Sequence, residues 1–157
     1  MLYAKEIEHR LVAHKNEAYS CEEVSSARNI PVSDVLKCIL AVDKERVHYL
    51  FCIPGDCRLD LDKCRIFLSS SALRFATREE AEAITGSKIG AIHPFFHRVK
   101  IPIIFDSAIL SKNVVDISSG DPHAGIQIRQ KLLCMLVNPK IASITQSPYP
   151  QVPKLGN

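Results

Sequence analysis

Val35-Leu-Lys-Cys-Ile-Leu-Ala-Val42 places one lysine, Lys37, inside an apolar run that would be buried on both faces if extended. Burying an ammonium costs free energy unless it is paired or lines a wet pocket. Lys37 therefore reads either as a lysine snorkelling from an edge strand or as a cation on a pocket wall, aimed at a phosphate or a developing oxyanion. Gly90-Ala-Ile-His-Pro94 is a second candidate. Gly90 permits positive φ and close backbone approach, Pro94 stiffens the exit past His93, and the N–H groups of such a turn can form an anion nest. An ordinary connecting loop has the same composition. Asp106 ends an apolar strand, where it either caps a helical turn or orients a substrate amine or ribose hydroxyl. Ser118-Ser-Gly-Asp-Pro-His123 is a polar loop containing Gly120 and His123. His123 is the histidine best placed to reach a pocket, although an exposed loop histidine is the plainer reading. His9, His14, His48 and His97 read as surface positions. No spacing recommends a metal site, and neither a Gly-x-Ser-x-Gly elbow nor a phosphate-binding Walker loop is present.

The elements that must position these residues are legible from period and capping. Leu2, Ile7, Leu11 and Val12 predict a helix over residues 2–14. Ser20 with Glu23 and Thr77 with Glu80 are capping boxes, opening helices that run to Ala27 and to Gly86. Val35–Val42 and Val47–Ile53 predict an antiparallel strand pair, ended by the turn chemistry of Pro54-Gly-Asp. Residues 59–68 predict a helix followed by a short strand. Ile101–Phe105, Val114–Ser118 and Gly125–Ile128 predict further strands, and Arg129–Val137 a closing helix. Hairpin strands interleaved with short helices make an α+β (mixed α/β) domain, with a central mixed or antiparallel sheet flanked by short helices. The domain spans residues 1–138, and the proline-rich segment 139–157 is expected to be a flexible tail.

Length and composition bound the rest. The 157 residues suit one domain. A net charge of +3 excludes a histone-like protein and argues against duplex DNA, whose binding needs many phosphate contacts. No stretch approaches the ~18 apolar residues of a membrane span, and the N-terminus lacks the pattern of a secretory signal. A cytoplasmic setting is expected, and with it six reduced cysteines, none at Cys-x-x-Cys spacing.

Taken in order, the motifs resemble a known family. Lysine in an apolar strand (Lys37), Ile53-Pro-Gly-Asp followed by Leu59-Asp-Leu61, Thr85-Gly86, the loop from Gly90 to Phe95, a strand ending in Asp106, and Ser119-Gly120 before a last strand and helix are similar to the YbaK/prolyl-tRNA synthetase-associated editing domains. The match runs from about Tyr19 to Val137. This sequence differs from many relatives in carrying Cys38 after the lysine and His93 before the loop proline. The resemblance implies hydrolysis of the ester of a mischarged tRNA, typically Ala- or Cys-tRNA(Pro), without metal or cofactor. Lys37 would grip the terminal adenosine phosphate and polarise the substrate. Gly90 and Pro94 would hold the carbonyl and ribose through the loop backbone, with His93, Asp106, Gly120 and His123 lining the same pocket. The implied partners are the tRNA acceptor end and prolyl-tRNA synthetase, with no membrane and no DNA. Two other readings stay open: a non-catalytic module that captures an aminoacyl or nucleotide end or a protein, and a thiol redox protein using Cys57 or Cys64.

Overall fold

The structure, a computed structural model, describes residues 6–95 and 97–146. Its elements in chain order are β1 (His9–Ala13), α1 (Cys21–Arg28), β2 (Leu36–Asp43), β3 (His48–Pro54), α2 (Leu61–Phe67), β4 (Leu73–Phe75), α3 (Arg78–Thr85), β5 (Ile103–Asp106), β6 (Val114–Ser118), β7 (Ala124–Arg129), α4 (Gln130–Val137) and β8 (Lys140–Ala142). Short 3-10 turns cover Val32–Asp34 and Ser107–Ser111. The fold is α+β as expected, but its strands divide into two sheets. One has the order β1-β7-β6 and the other β4-β2-β3-β5-β8. A single parallel bridge, Val35 with Asp116, joins them.

β3 shows why the central strands read as unbroken apolar runs. Leu50 and Cys52 face one hydrophobic cluster, with Phe105, Val115 and Leu133, while Phe51 and Ile53 face another, with Leu59, Cys64 and Ile144. Side chains alternate across a strand, so a strand with a core on each face carries no polar alternation. β2 pairs antiparallel with β3 from Leu36 to Val42, whereas β4 covers only Ala41 to Asp43. Lys37 therefore has a strand on one side and an uncovered flank on the other. That flank leaves room for a cavity.

Both capping boxes form. Ser20 and Glu23 close the start of α1, and Thr77 and Glu80 that of α3, which ends on Gly86 at φ +76°. Two expectations fail. Residues 9–13 are a strand rather than part of a helix, pairing with β7 from His9–Ile128 to Ala13–Ala124. At a sheet edge most side chains stay in water, and Leu11 is 54% exposed, so few apolar positions in a polar segment suit either structure. The remaining start of that expected helix, residues 1–5, lies outside the described residues. The fold also continues past residue 138. β8 pairs in parallel with β5, Ile144 is wholly buried, and Thr145 bridges Leu59. The rest of the expected tail, 147–157, lies outside the described residues. Among the described residues no helix is long and apolar enough to cross a membrane.

Candidate active site

Lys37 is half-buried, and its ammonium is held by backbone oxygens of the turn after β3. It donates to the Cys57 carbonyl at 2.7 Å and, more weakly, to that of Gly55 at 3.4 Å. An ammonium has three N–H groups, so one remains for a substrate. No carboxylate forms an ion pair with it among the described residues. Gly55 lets this turn close on the body of the domain. A Cβ there would stand 2.6 Å from the Val32 carbonyl oxygen and 3.0 Å from the Cys21 Cβ.

Lys37 forms part of the wall of a cavity of about 390 Å³, within the usual size of small-molecule sites. Tyr19, Cys21, Arg28, Gly90, Asp116 and Ser118 are among the other residues of that wall. The α1 capping box positions part of it, because the Glu23 carboxylate accepts from the N–H groups of Tyr19 and Ser20 at 2.9 and 3.0 Å. Tyr19 packs on Gly90, whose φ is +87° and whose added Cβ would meet Tyr19 Cδ1 at 3.1 Å. Gly90→Ala is therefore expected to cost about 1–2 kcal/mol, combining left-handed strain with a close contact. Gly120→Ala is expected to cost less, since a Cβ there stands no closer than 3.6 Å to His93. Urea midpoints of the two variants check the order.

The floor carries a buried ion pair. Arg28 Nη1 donates to Asp116 Oδ1 at 2.5 Å, and the same guanidinium donates to the Ala124 carbonyl and the His14 ring. Gln127 donates to the other Asp116 oxygen at 3.4 Å. Burial pushes the Asp116 carboxyl up, and Arg28 pulls it back toward the charged form. Arg28 lies flat on β7, where a Cβ at Gly125 would stand 1.7 Å from its Nη1. Because Arg28 and Asp116 neutralise one another, Lys37 and the exposed Glu22 at the rim supply the uncompensated charge of the cavity.

A model of the aminoacyl-tRNA editing domain matches residues 15–134. This chain belongs to that family. The proline–tRNA ligase of Aquifex aeolicus (strain VF5) is 29% identical over 103 residues, 65% of this chain and 18% of the ligase. The ligase of Latilactobacillus sakei subsp. sakei (strain 23K) is 28% identical over 109 residues, 68% of the chain and 19% of the ligase. The chain thus spans about a fifth of the length of these relatives. Among solved structures, the hypothetical protein APE2540 superposes with a TM-score of 0.86 at 21% identity, over 92% of this chain and 96% of that one. A candidate trans-editing enzyme for prolyl tRNA synthetase gives 0.81 at 27% identity, over 88% and 87%.

Of the residues singled out in the sequence, the editing domain brings Lys37 and Gly90 together at the cavity. His93 and Pro94 follow Ile92 of the wall in sequence but do not line the cavity themselves. Pro94 is buried, and the His93 ring stacks on His97 with centroids 5.5 Å apart. Burial holds both imidazoles below their ordinary pKa, so they pack as neutral rings at pH 7. Gly120 backs onto His93, and its N–H donates to Ser118 Oγ, which in turn donates to the Ala91 carbonyl. Gly120 thus helps to tie the loop 90–94 in place without lining the cavity. Asp106 does not reach the cavity. It is 2% exposed, and its two oxygens accept from the N–H groups of Ala108 and Ile144, both at 2.9 Å. It caps the 3-10 turn and clamps the chain after β8. His123 is also outside the cavity wall, on the surface beside Lys15 and Glu17. Two of the seven residues thus lie on the cavity wall, and the other five do not.

Tyr19, Arg28, Asp116 and Gly55 were not singled out. The Pro54-Gly pair and the Ser20 capping box were the available signals for Gly55 and Tyr19. No local spacing marks Arg28 and Asp116, which are 88 positions apart. The thiols give little support to redox chemistry. Burial pushes Cys64 up to about 12, and Cys57 and Cys21 also lie above their ordinary value, which disfavours the reactive thiolate.

Proposed function

We propose that this editing domain is a trans-acting hydrolase that removes the amino acid from mischarged tRNA, with Ala- or Cys-tRNA(Pro) as substrate. The observation that carries the reading is the Lys37 ammonium, fixed by two carbonyls beside Gly90 with a donor to spare. In the reaction a water oxygen bonds to the ester carbonyl carbon, the bond to the ribose oxygen breaks, and a proton passes to that oxygen. The products are the free amino acid and tRNA with its hydroxyl restored. An activated ester needs little general-base power, so positioning and a cation near the developing oxyanion supply the rate. The free ribose 2′-hydroxyl relays the proton. Prolyl-tRNA synthetase is the partner that would deliver the substrate, in the cytoplasm.

Incubation of the protein with Ala-, Cys- and Ser-charged tRNA(Pro) tests this directly. Release of alanine or cysteine well above the spontaneous rate is expected. Binding of these tRNAs with no release would favour a capture module on the same fold and overturn the hydrolase.

A further inference from the structure

Lys37 and Ile39 also form part of the wall of a second, more open cavity of about 520 Å³. Its remaining wall includes Phe75, Arg58, Asp60, Asp62 and Gln146. Phe75 is 50% exposed, and its backbone is held in place by pairing with Ala41 of β2. Arg74 donates to the Phe75 carbonyl and forks onto both Glu80 oxygens at 2.8 Å, and this keeps the Glu80 carboxyl down at about 2. Glu80 in turn closes the α3 capping box. The backbone that carries the ring is thus anchored, and the ring stands as an exposed aromatic face beside a trough. The Arg58 guanidinium, exposed to solvent, has no carboxylate partner among the described residues. Asp60 spends Oδ1 on the N–H groups of Asp62 and Lys63 and has no hydrogen bond at Oδ2 among the described residues.

The wall carries two basic and two acidic side chains, which suits a polar ring better than a phosphate. An aromatic face stacks on any base. A carboxylate accepts from the cytosine 4-amino group, and a guanidinium donates to the ring nitrogen and carbonyl beside it. Uracil offers a carbonyl where cytosine has that amine. We propose that this second cavity is the subsite for the penultimate cytidine of the tRNA 3′ end, with Phe75 as stacking platform and Arg58 and Asp60 as its base-edge partners. The assignment rests on the proposed function, in which the ester on the terminal ribose lies beside Lys37 in the first cavity. Adjacent nucleotides then flank Lys37.

Binding of the fluorescently labelled trinucleotide CCA, and of CUA, to the full chain tests it without catalysis. Phe75→Ala is expected to weaken CCA about tenfold, and Phe75→Tyr to retain binding. The wild type is expected to prefer CCA to CUA, and Asp60→Asn, which keeps an acceptor for the α2 cap, to erase that preference. Failure of the wild type to bind CCA, or binding by Phe75→Ala within twofold of wild type, overturns the platform. Equal affinity for CCA and CUA overturns the cytidine assignment. Deacylation of Ala-tRNA(Pro), measured on the same samples, separates the two readings. A Phe75-dependent trinucleotide site without deacylation removes the hydrolase and leaves the subsite. Deacylation with an unchanged KM in Phe75→Ala removes the subsite alone.

Discussion

Lys37→Ala is expected to lower deacylation of mischarged tRNA(Pro) by about 10²–10³, the effect of removing one preorganised donor from a developing oxyanion. The fold should survive. The ammonium is half-buried at a cavity, so the Gly55 and Cys57 carbonyls that it leaves can turn to water. Lys37→Arg is not expected to rescue, because a planar fork cannot replace a compact ammonium seated on two carbonyl oxygens. Single-turnover release of alanine and cysteine, with a thermal melt of each variant, checks both halves. Near-normal release by Lys37→Ala would remove Lys37 from the chemistry.

The second large effect concerns stability. Arg28→Ala leaves Asp116 fully buried and uncompensated, expected to cost about 3–5 kcal/mol. Replacing both partners together, as Arg28→Met with Asp116→Leu, is expected to recover much of the loss. The deficit of Arg28→Ala carries a pH signature. With Arg28 removed, burial outweighs the remaining Gln127 hydrogen bond and His14 more strongly still, and burial raises the Asp116 pKa in the folded state. A carboxyl with a folded pKa above its unfolded one is penalised while charged, and the penalty fades as pH falls through the folded value. Urea midpoints relative to wild type should therefore differ more at pH 7 than at pH 5. An equal deficit at both would show that the lost packing, rather than the stranded charge, dominates.

What could be read in the sequence divides along physical lines. Local chemistry was legible. Ser20 with Glu23 and Thr77 with Glu80 form as capping boxes because each is decided within four residues. Lys37 stood out because one cation in an apolar strand needs an explanation, and the three-residue β4, which leaves its flank uncovered, supplies it. Long-range pairing was not legible. Whether residues 9–13 coil or extend depends on the free edge of β7, over a hundred positions away. The two sheets meet at one bridge between Val35 and Asp116, residues far apart in the chain. Asp106 carried both of its meanings in the sequence, and two backbone N–H groups, one of them from Ile144, decide for the cap.

β8 has a consequence for where the unit ends. The family match stops at residue 134, yet β5 keeps one of its two flanks covered only by Lys140–Ala142. A protein cut at the end of the match would present the backbone of Ile104 and Phe105 as a bare, apolar edge, the template on which chains aggregate. Asp106 would lose the N–H of Ile144 as well. During synthesis the same holds for the nascent chain. The sheet cannot be sealed until the residues after α4 have left the ribosome, so the last short strand sets when the domain becomes safe from its neighbours.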